Sequence, residues 1–315
     1  MNQIIPNTQQ EILHTFWQAG ILFAIAVVLA FIISRIRKAR GRAHGDFLFI
    51  TSVLLLILSL GIFAYHSNLF GIKDYFAKFQ VQQQSRTIKK RAAKPVDRKL
   101  VAKMVMRDQN KNDKYEKKGF VAIPSVSILL PIYDDAYSVA GLNLGADFAN
   151  RSAEDPKGEQ TPMMGRGNYG LAAHNFNDGR TGFSALQEKL NVNASYLVNG
   201  QTGTNRWLKN KPVYLANGDG IYEYRITKQT TTLPTNVAVL NQTDQPQLTI
   251  VSCLFPNTNY RIITHAKLVK QYTWQKAPQK LVGYFNLKVQ ATNARASWFN
   301  PGVEEGVNGD AGGTK

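Results

Sequence analysis

Cysteine is almost absent from this chain of 315 residues, where Cys253 stands alone. No intrachain disulfide can form, and the cysteine-rich spacings of structural zinc sites are excluded with it. Histidine is also scarce, with five in all; three of them, His14, His44 and His66, lie in or beside long apolar runs. Acids are outnumbered, 21 Asp and Glu against 38 Lys and Arg, giving a formal net charge of +17. They form no ligand loop of the EF-hand kind, so no required metal or other cofactor is expected. Internal repeats are absent, as is any nucleic-acid-binding motif.

The excess charge is concentrated outside the region that reads as globular. Arg35, Arg37, Lys38, Arg40 and Arg42 face one acid, Asp46, and residues 86–118 hold thirteen Lys or Arg against four acids. What remains carries a small positive excess. Basic residues in linkers suit anionic headgroups or wall polymers, or simply a solvated spacer, and do not build a nucleic-acid face.

Two apolar runs, Ile12–Ile33 and Phe47–Tyr65, flank the first basic cluster. Neither shows a polar face, and at about 1.5 Å per helical residue the first spans a hydrocarbon core of about 30 Å. The basic loop between them is expected to be cytoplasmic by the positive-inside rule, so everything after Tyr65 faces outward. The first run is too long for a cleaved signal peptide, and its basic cluster follows it. The expected order is a short extracytoplasmic N terminus (1–11), a span (12–33), a cytoplasmic loop (34–46), a second span (47–66) and a basic stalk (67–119). A catalytic domain (120–275) and a tail (276–315), disordered toward its Gly-rich end, follow.

From Phe120 the composition changes. Short apolar runs alternate with Gly, Pro, Asn and Asp turns: Phe120–Ile123, Val126–Leu130, Gly170–His174, Val213–Leu215, Ile221–Gln229, Leu248–Cys253 and Ile262–Val269. This pattern predicts an all-β barrel or sandwich. Gly182–Leu190 reads as one or two helical turns.

Within that domain Cys253 ends one β-like run, and Arg261 begins the next after a turn containing Pro256, Asn257 and Asn259. A hairpin there brings thiol and guanidinium to one end of a sheet, with strands about 4.8 Å apart. A lone strand-end cysteine is more often a small buried hydrophobe than a nucleophile. His174, ending an apolar run of its own, raises the odds of chemistry. His265 lies in the same domain but in mid-strand, where a structural histidine is the default.

Five segments together resemble the sortases, membrane-anchored cysteine transpeptidases of Gram-positive bacteria. They are Met164–His174 (MGRGNYGLAAH), Phe183–Leu186 (FSAL), Asp219–Ile226 (DGIYEYRI), Thr249–Cys253 (TIVSC) and Arg261. The family motif Thr-Leu-x-Thr-Cys becomes Thr249-Ile-Val-Ser-Cys253, so Ser252 keeps a hydroxyl. The segment around His174 is similar to class A, and no lid signature, long helical insertion or C-terminal span points elsewhere. Two N-terminal runs depart from the single span usual in class A.

The resemblance implies a closed sortase-type barrel with short helices behind a transmembrane hairpin, with His174, Cys253 and Arg261 as catalytic residues. Cys253 would form a thioacyl intermediate, His174 would act as acid and base, and Arg261, with help from Ser252, would stabilise the oxyanion. The implied substrates are surface proteins bearing a Leu-Pro-x-Thr-Gly signal cut between Thr and Gly, with a lipid II or peptidoglycan amine as acceptor. Some class A members use calcium; none is expected to be required here. A membrane-tethered noncatalytic barrel is the alternative, and it leaves the three residues unexplained. A peptidoglycan cross-linking cysteine transpeptidase lacks its Ser-His-Gly-Cys signature here.

Overall fold

The computed structural model describes residues 8–39, 47–107, 114–294, 305–307 and 309. The chain divides into two compact units, Met1–Tyr75 and Phe76–Lys315. In the first, helix α1 (Thr8–Ala39) contacts helix α2 (Phe47–His66), and Ala26 and Ala30 of α1 are fully buried. Large apolar side chains such as Phe23, Phe31, Leu56, Ile57 and Phe63 point outward. Among the described residues no single helix is long and apolar enough to cross a membrane. One pair, Phe49–Tyr65 with Leu69–Ala92, passes that test together and is bent by 87°. Residues 40–46 of the expected basic loop lie outside the described residues.

The second unit contains more than the expected domain. Most of helix α3 (Ile72–Ala92) and helix α4 (Arg98–Met106) fall in the segment read as a solvated stalk. Asp97 caps α4 by accepting from Lys99 N and Leu100 N, and Val101, Met104 and Val105 are buried. Along α3, Val81, Ser85, Ile88 and Ala92 recur at helical spacing and turn toward the barrel. The many Lys and Arg on the other faces conceal that stripe in the composition. The stalk from residue 76 is therefore part of the folded unit.

The strands of this unit are β1 (Gly119–Ile123), β2 (Ile128–Tyr133), β3 (Ala146–Phe148), β4 (Asn168–Ala172), β5 (Leu197–Val198), β6 (Gln201–Thr202), β7 (Thr204–Asn205), β8 (Pro212–Ala216), β9 (Gly220–Thr232), β10 (Gln247–Cys253) and β11 (Arg261–Thr273). A short helix α5 (Val139–Leu142) lies between β2 and β3, and α6 (Gln279–Tyr284) follows β11. The order β11-β10-β4-β3-β2-β1-β8-β9 closes through β9–β11 pairing into an eight-stranded barrel, with β7 added along β9; β5 and β6 form a separate ribbon. Barrels of this size are filled by side chains. Here Val121, Ile123, Leu130, Ile132, Leu171, Ile226, Leu248 and Ile250 fill the interior.

A second apolar cluster covers the outside of the same wall. Phe120, Ala122, Leu129, Tyr214 and Ala216 pack against α4, α6, Trp274, Phe285 and Leu287. This explains why β1 and β2 are buried along their whole length. It also extends the domain past residue 275, since Ala277, Leu281, Val282, Tyr284, Phe285 and Leu287 are core residues and not a tail. Further on, Glu305 is buried and paired with Lys117, and its backbone oxygen accepts from Thr292 Oγ1. The Lys117 ammonium also lies over the rings of Phe120 and Tyr133, at 4.6 and 5.2 Å.

Two outcomes are expected from this packing. A fragment ending at Trp274 will melt far below one ending at Lys315, as followed by circular dichroism, because the outer cluster is stripped. Glu305→Ala in the full chain will cost about 3–5 kcal/mol in denaturant unfolding, the usual penalty for leaving a buried charge unpaired.

Candidate active site

Strand pairing assembles the site. β4 and β10 run parallel, with Val251 paired to Ala172, so both strands end together. Cys253 lies two residues beyond Val251, and His174 two beyond Ala172. Neighbouring strands are about 4.8 Å apart, so imidazole and thiol leave adjacent backbones. On its other side β10 pairs antiparallel with β11, and Arg261 stands directly opposite Cys253. The expected hairpin is present, and the three residues come from three neighbouring strands of one barrel wall.

Alternation along the strands sorts the side chains. Leu248, Ile250, Tyr169 and Leu171 belong to the interior core, so Val251, Cys253 and Ala172 face outward. Ser252 shares the interior parity, and its buried hydroxyl has no hydrogen-bond partner among the described residues. It therefore faces away from the thiol, contrary to the oxyanion role expected for it. His265 lies four residues along β11 from Arg261, roughly 13 Å away at strand rise. Its Nε2 is 2.7 Å from Thr230 Oγ1. His265 is a strand residue, not the partner of Cys253.

The electrostatics favour neutral resting groups. Burial pushes the Cys253 thiol up, and the Arg261 charge pulls it down by less. Burial alone holds the His174 imidazole below its usual value. Arg261 is anchored through Nη1, which donates to Thr258 O at 2.8 Å and Tyr260 O at 3.1 Å. These bonds hold the guanidinium at the mouth of the β10–β11 hairpin.

Asn143 is a site residue that sequence reasoning missed. Its Oδ1 lies 3.1 Å from His174 Nε2, within hydrogen-bonding distance of the ring. The loop carrying it is built by Asp135, which accepts from Tyr137 N and Ser138 N, and by Ser138, which accepts from Gly141 N and so caps α5. Gly141 must be glycine, because a Cβ there would stand 2.2 Å from Asp135 O. Gly182 supports His174 similarly: its φ is +58°, and a Cβ would lie 2.4 Å from His174 O. Nothing in the spacing of Asn143, far upstream of His174, marks it as a partner.

Asp147 on β3 was also missed. It pairs in register with Tyr133 and with Ala172, is fully buried, and neither carboxyl oxygen has a hydrogen-bond partner among the described residues. Burial, reinforced by Asp135 and Asp134, raises its pKa well above the carboxylate range.

Residues 121–269 match the family model described as a sortase domain. Sortase A of Streptococcus agalactiae serotype III (strain NEM316) is 28% identical over 269 residues, covering 81% of this chain and 99% of its own length. Sortase A of Listeria monocytogenes serovar 1/2a (strain ATCC BAA-679 / EGD-e) is 26% identical over 159 residues, 50% of this chain and 59% of its own. The solved structure of Listeria monocytogenes sortase A covers 54% of this chain and 97% of its own, at 26% identity and a TM-score of 0.41. Residues 121–269, just under half of the chain, thus carry a sortase domain.

Two titrations of opposite sign should appear in the stability of the domain. Burial, aided by Lys228, holds His265 at about 4. Unfolding releases it to about 6.5, so its contribution is full above that value and is lost as pH falls toward 4. Asp147 behaves oppositely: its contribution is full below about 3.9 and is lost as pH rises through its raised folded value. His265→Gln should therefore reduce the fall in melting temperature on acidification, measured by thermal denaturation. Asp147→Asn should raise the melting temperature more at neutral than at acid pH; a uniform change would remove Asp147 from the titration.

Proposed function

We propose that this chain anchors surface proteins to the cell wall as a class A-like sortase, with Cys253 as nucleophile, His174 as acid and base, and Arg261 as oxyanion donor. The observation that carries this assignment is the strand register, which sets the only cysteine between His174 and Arg261 within a sortase domain. Cys253 Sγ attacks the carbonyl carbon of a threonine in a Leu-Pro-x-Thr-Gly signal. The Thr–Gly bond breaks, His174 protonates the departing glycine amine, and a thioester remains. A peptidoglycan-precursor amine then attacks that carbonyl, gives its proton to His174 and releases Cys253 as thiolate. Arg261 donates to the oxygen that gains charge in each tetrahedral step. No step requires a metal.

The neutral forms of thiol and imidazole lie about 2.7 kcal/mol below the ion pair even at unperturbed pKa values. Burial of both groups widens that gap in the resting enzyme. The reactive thiolate–imidazolium form is thus a minority species at every pH. Its fraction is constant between the two titrations, falling below the imidazole value and above the thiol value.

The outward apolar side chains of α1 and α2 support a membrane location for the N-terminal hairpin. The basic residues around Arg35–Arg42 support a cytoplasmic loop, which places the barrel outside the cell. Protease added to intact protoplasts should digest the barrel, and protection of the barrel would overturn this orientation.

Cys253→Ala should abolish cleavage and amine transfer of a Leu-Pro-x-Thr-Gly peptide while circular dichroism is unchanged. Arg261→Lys keeps the charge but loses the planar fork, and should lower kcat by about 100- to 1000-fold. Near-normal turnover in that variant would leave only a charge effect. The pH profile of kcat/KM should show an acid limb below about 6.5 and an alkaline limb above about 8.5, because His174 is shifted down and Cys253 up. A profile narrower than those values would contradict the directions of both shifts. Mass spectrometry of the products identifies the acceptor amine; a parent chain that neither cleaves nor transfers the peptide would favour a noncatalytic binding role.

A further inference from the structure

The β4–β10 ladder ends just before the reactive residues. Its last backbone bond runs from Ala173 N to Val251 O at 3.3 Å, and beyond it no further backbone bond among the described residues holds the two strands in register. The next connection is made by a side chain. Asn175 Nδ2 donates to Cys253 O at 2.8 Å, so His174 lies between two rungs that tie its strand to the cysteine strand. The second Asn175 Nδ2 bond, at 3.0 Å, goes to Gln187 Oε1. Gln187 completes the connection on the far side of Cys253. Its Oε1 accepts from Phe255 N at 3.0 Å and its Nε2 donates to Phe255 O at 2.7 Å, as a neighbouring strand would.

Both amides are buried, at 6% and 5% exposure, so water does not compete for these bonds. They are also saturated. Asn175 Oδ1 accepts from Asn177 N, and Gln187 Nε2 donates in addition to Lys189 O. A buried amide that loses such partners costs about 1–3 kcal/mol, so the pair has one favourable arrangement. That arrangement fixes the backbone on both sides of the thiol and immediately after the imidazole.

We propose that Asn175 and Gln187 form an amide clamp that sets the distance and orientation between the His174 imidazole and the Cys253 thiol. They are positioning residues: neither touches substrate, and both act through the backbone of the reacting groups. This inference rests on His174 and Cys253 being the reacting pair. The relevant step is proton exchange between sulfur and imidazole, which falls off steeply when the two are displaced. A displacement of about 1 Å can cost on the order of 100-fold in rate.

Asn175→Asp and Gln187→Glu test the clamp, since each keeps side-chain size and turns a donor into an acceptor facing a carbonyl or amide oxygen. Both are to be made in the full chain and checked for folding by circular dichroism and melting. The expected result is a fall in kcat of about 10- to 100-fold with KM unchanged. A second readout needs no substrate: the pH dependence of Cys253 alkylation by iodoacetamide. The variants should lose alkylation at low pH and match the His174→Gln profile. The double variant His174→Gln/Asn175→Asp should be no slower than His174→Gln alone. Should either single variant fold poorly, Asn175→Ala and Gln187→Met give the same measurements with the unfavourable oxygens removed. Folded variants with parental kcat and alkylation profile overturn the clamp, as does a loss that tracks only the unfolded fraction or adds fully to His174→Gln. Cys253→Ala separates this from the parent reading: if it stays active, the nucleophile assignment fails, whereas an inactive Cys253→Ala beside an unaffected Asn175→Asp removes the clamp alone.

Discussion

The position of β10 is the constraint on which the site depends. Held parallel to β4 and antiparallel to β11, it carries Cys253 to a point where two different neighbours end or begin. A shift of one residue in either register would turn Cys253 into the interior and bring Ser252 outward. The alternating core residues prevent this, because Leu248 and Ile250 would then leave the apolar interior. Hydrophobic burial along β10 thus serves as the alignment device for a polar reaction at its end.

Around that strand, the polar groups near the site fall into two kinds. Asn175, Gln187 and Asn143 have their hydrogen bonds made and fix geometry. Asp147 and Ser252 are buried with none made among the described residues. Burial in the wall next to Ala172 favours the neutral form of the Asp147 carboxyl, which costs less there than a buried charge. At the thiol, Arg261 is the charge that pulls the value down, by less than burial raises it.

Strands with apolar runs and turn residues at their ends were legible in the sequence, and the hairpin from Gln247 to Thr273 was placed to within a few residues. The three-residue strand Ala146–Phe148 was not, since Ala-Asp-Phe between Gly145 and Ala149 offers no alternation to read. The stalk misled for a different reason. Its charge is real, but the apolar residues at one helical face outweigh it in packing, and composition averages over faces. The C-terminal segment was undervalued because Leu281, Val282 and Phe285 lie among Gly, Asn and Lys, and their partners are on β1 and β8, far away in sequence. His174, Cys253 and Arg261 could be singled out in the sequence because each lies at or just beyond the end of an apolar run. Asn143 and Gln187 were not, as amides in loops acquire a role only through three-dimensional contacts.

The buried Lys117–Glu305 pair joins the start of the first barrel strand to a residue almost at the end of the sequence. Contacts so distant along the chain are the slowest to form, because a long loop must close before they return any free energy. During synthesis, nearly all of the barrel emerges while Lys117 still lacks its counter-charge. Until Glu305 arrives, the ammonium has the Arg107 carbonyl and the rings of Phe120 and Tyr133 beside it. The domain is therefore complete only when Glu305 reaches Lys117, after β9 and β11 have closed the barrel.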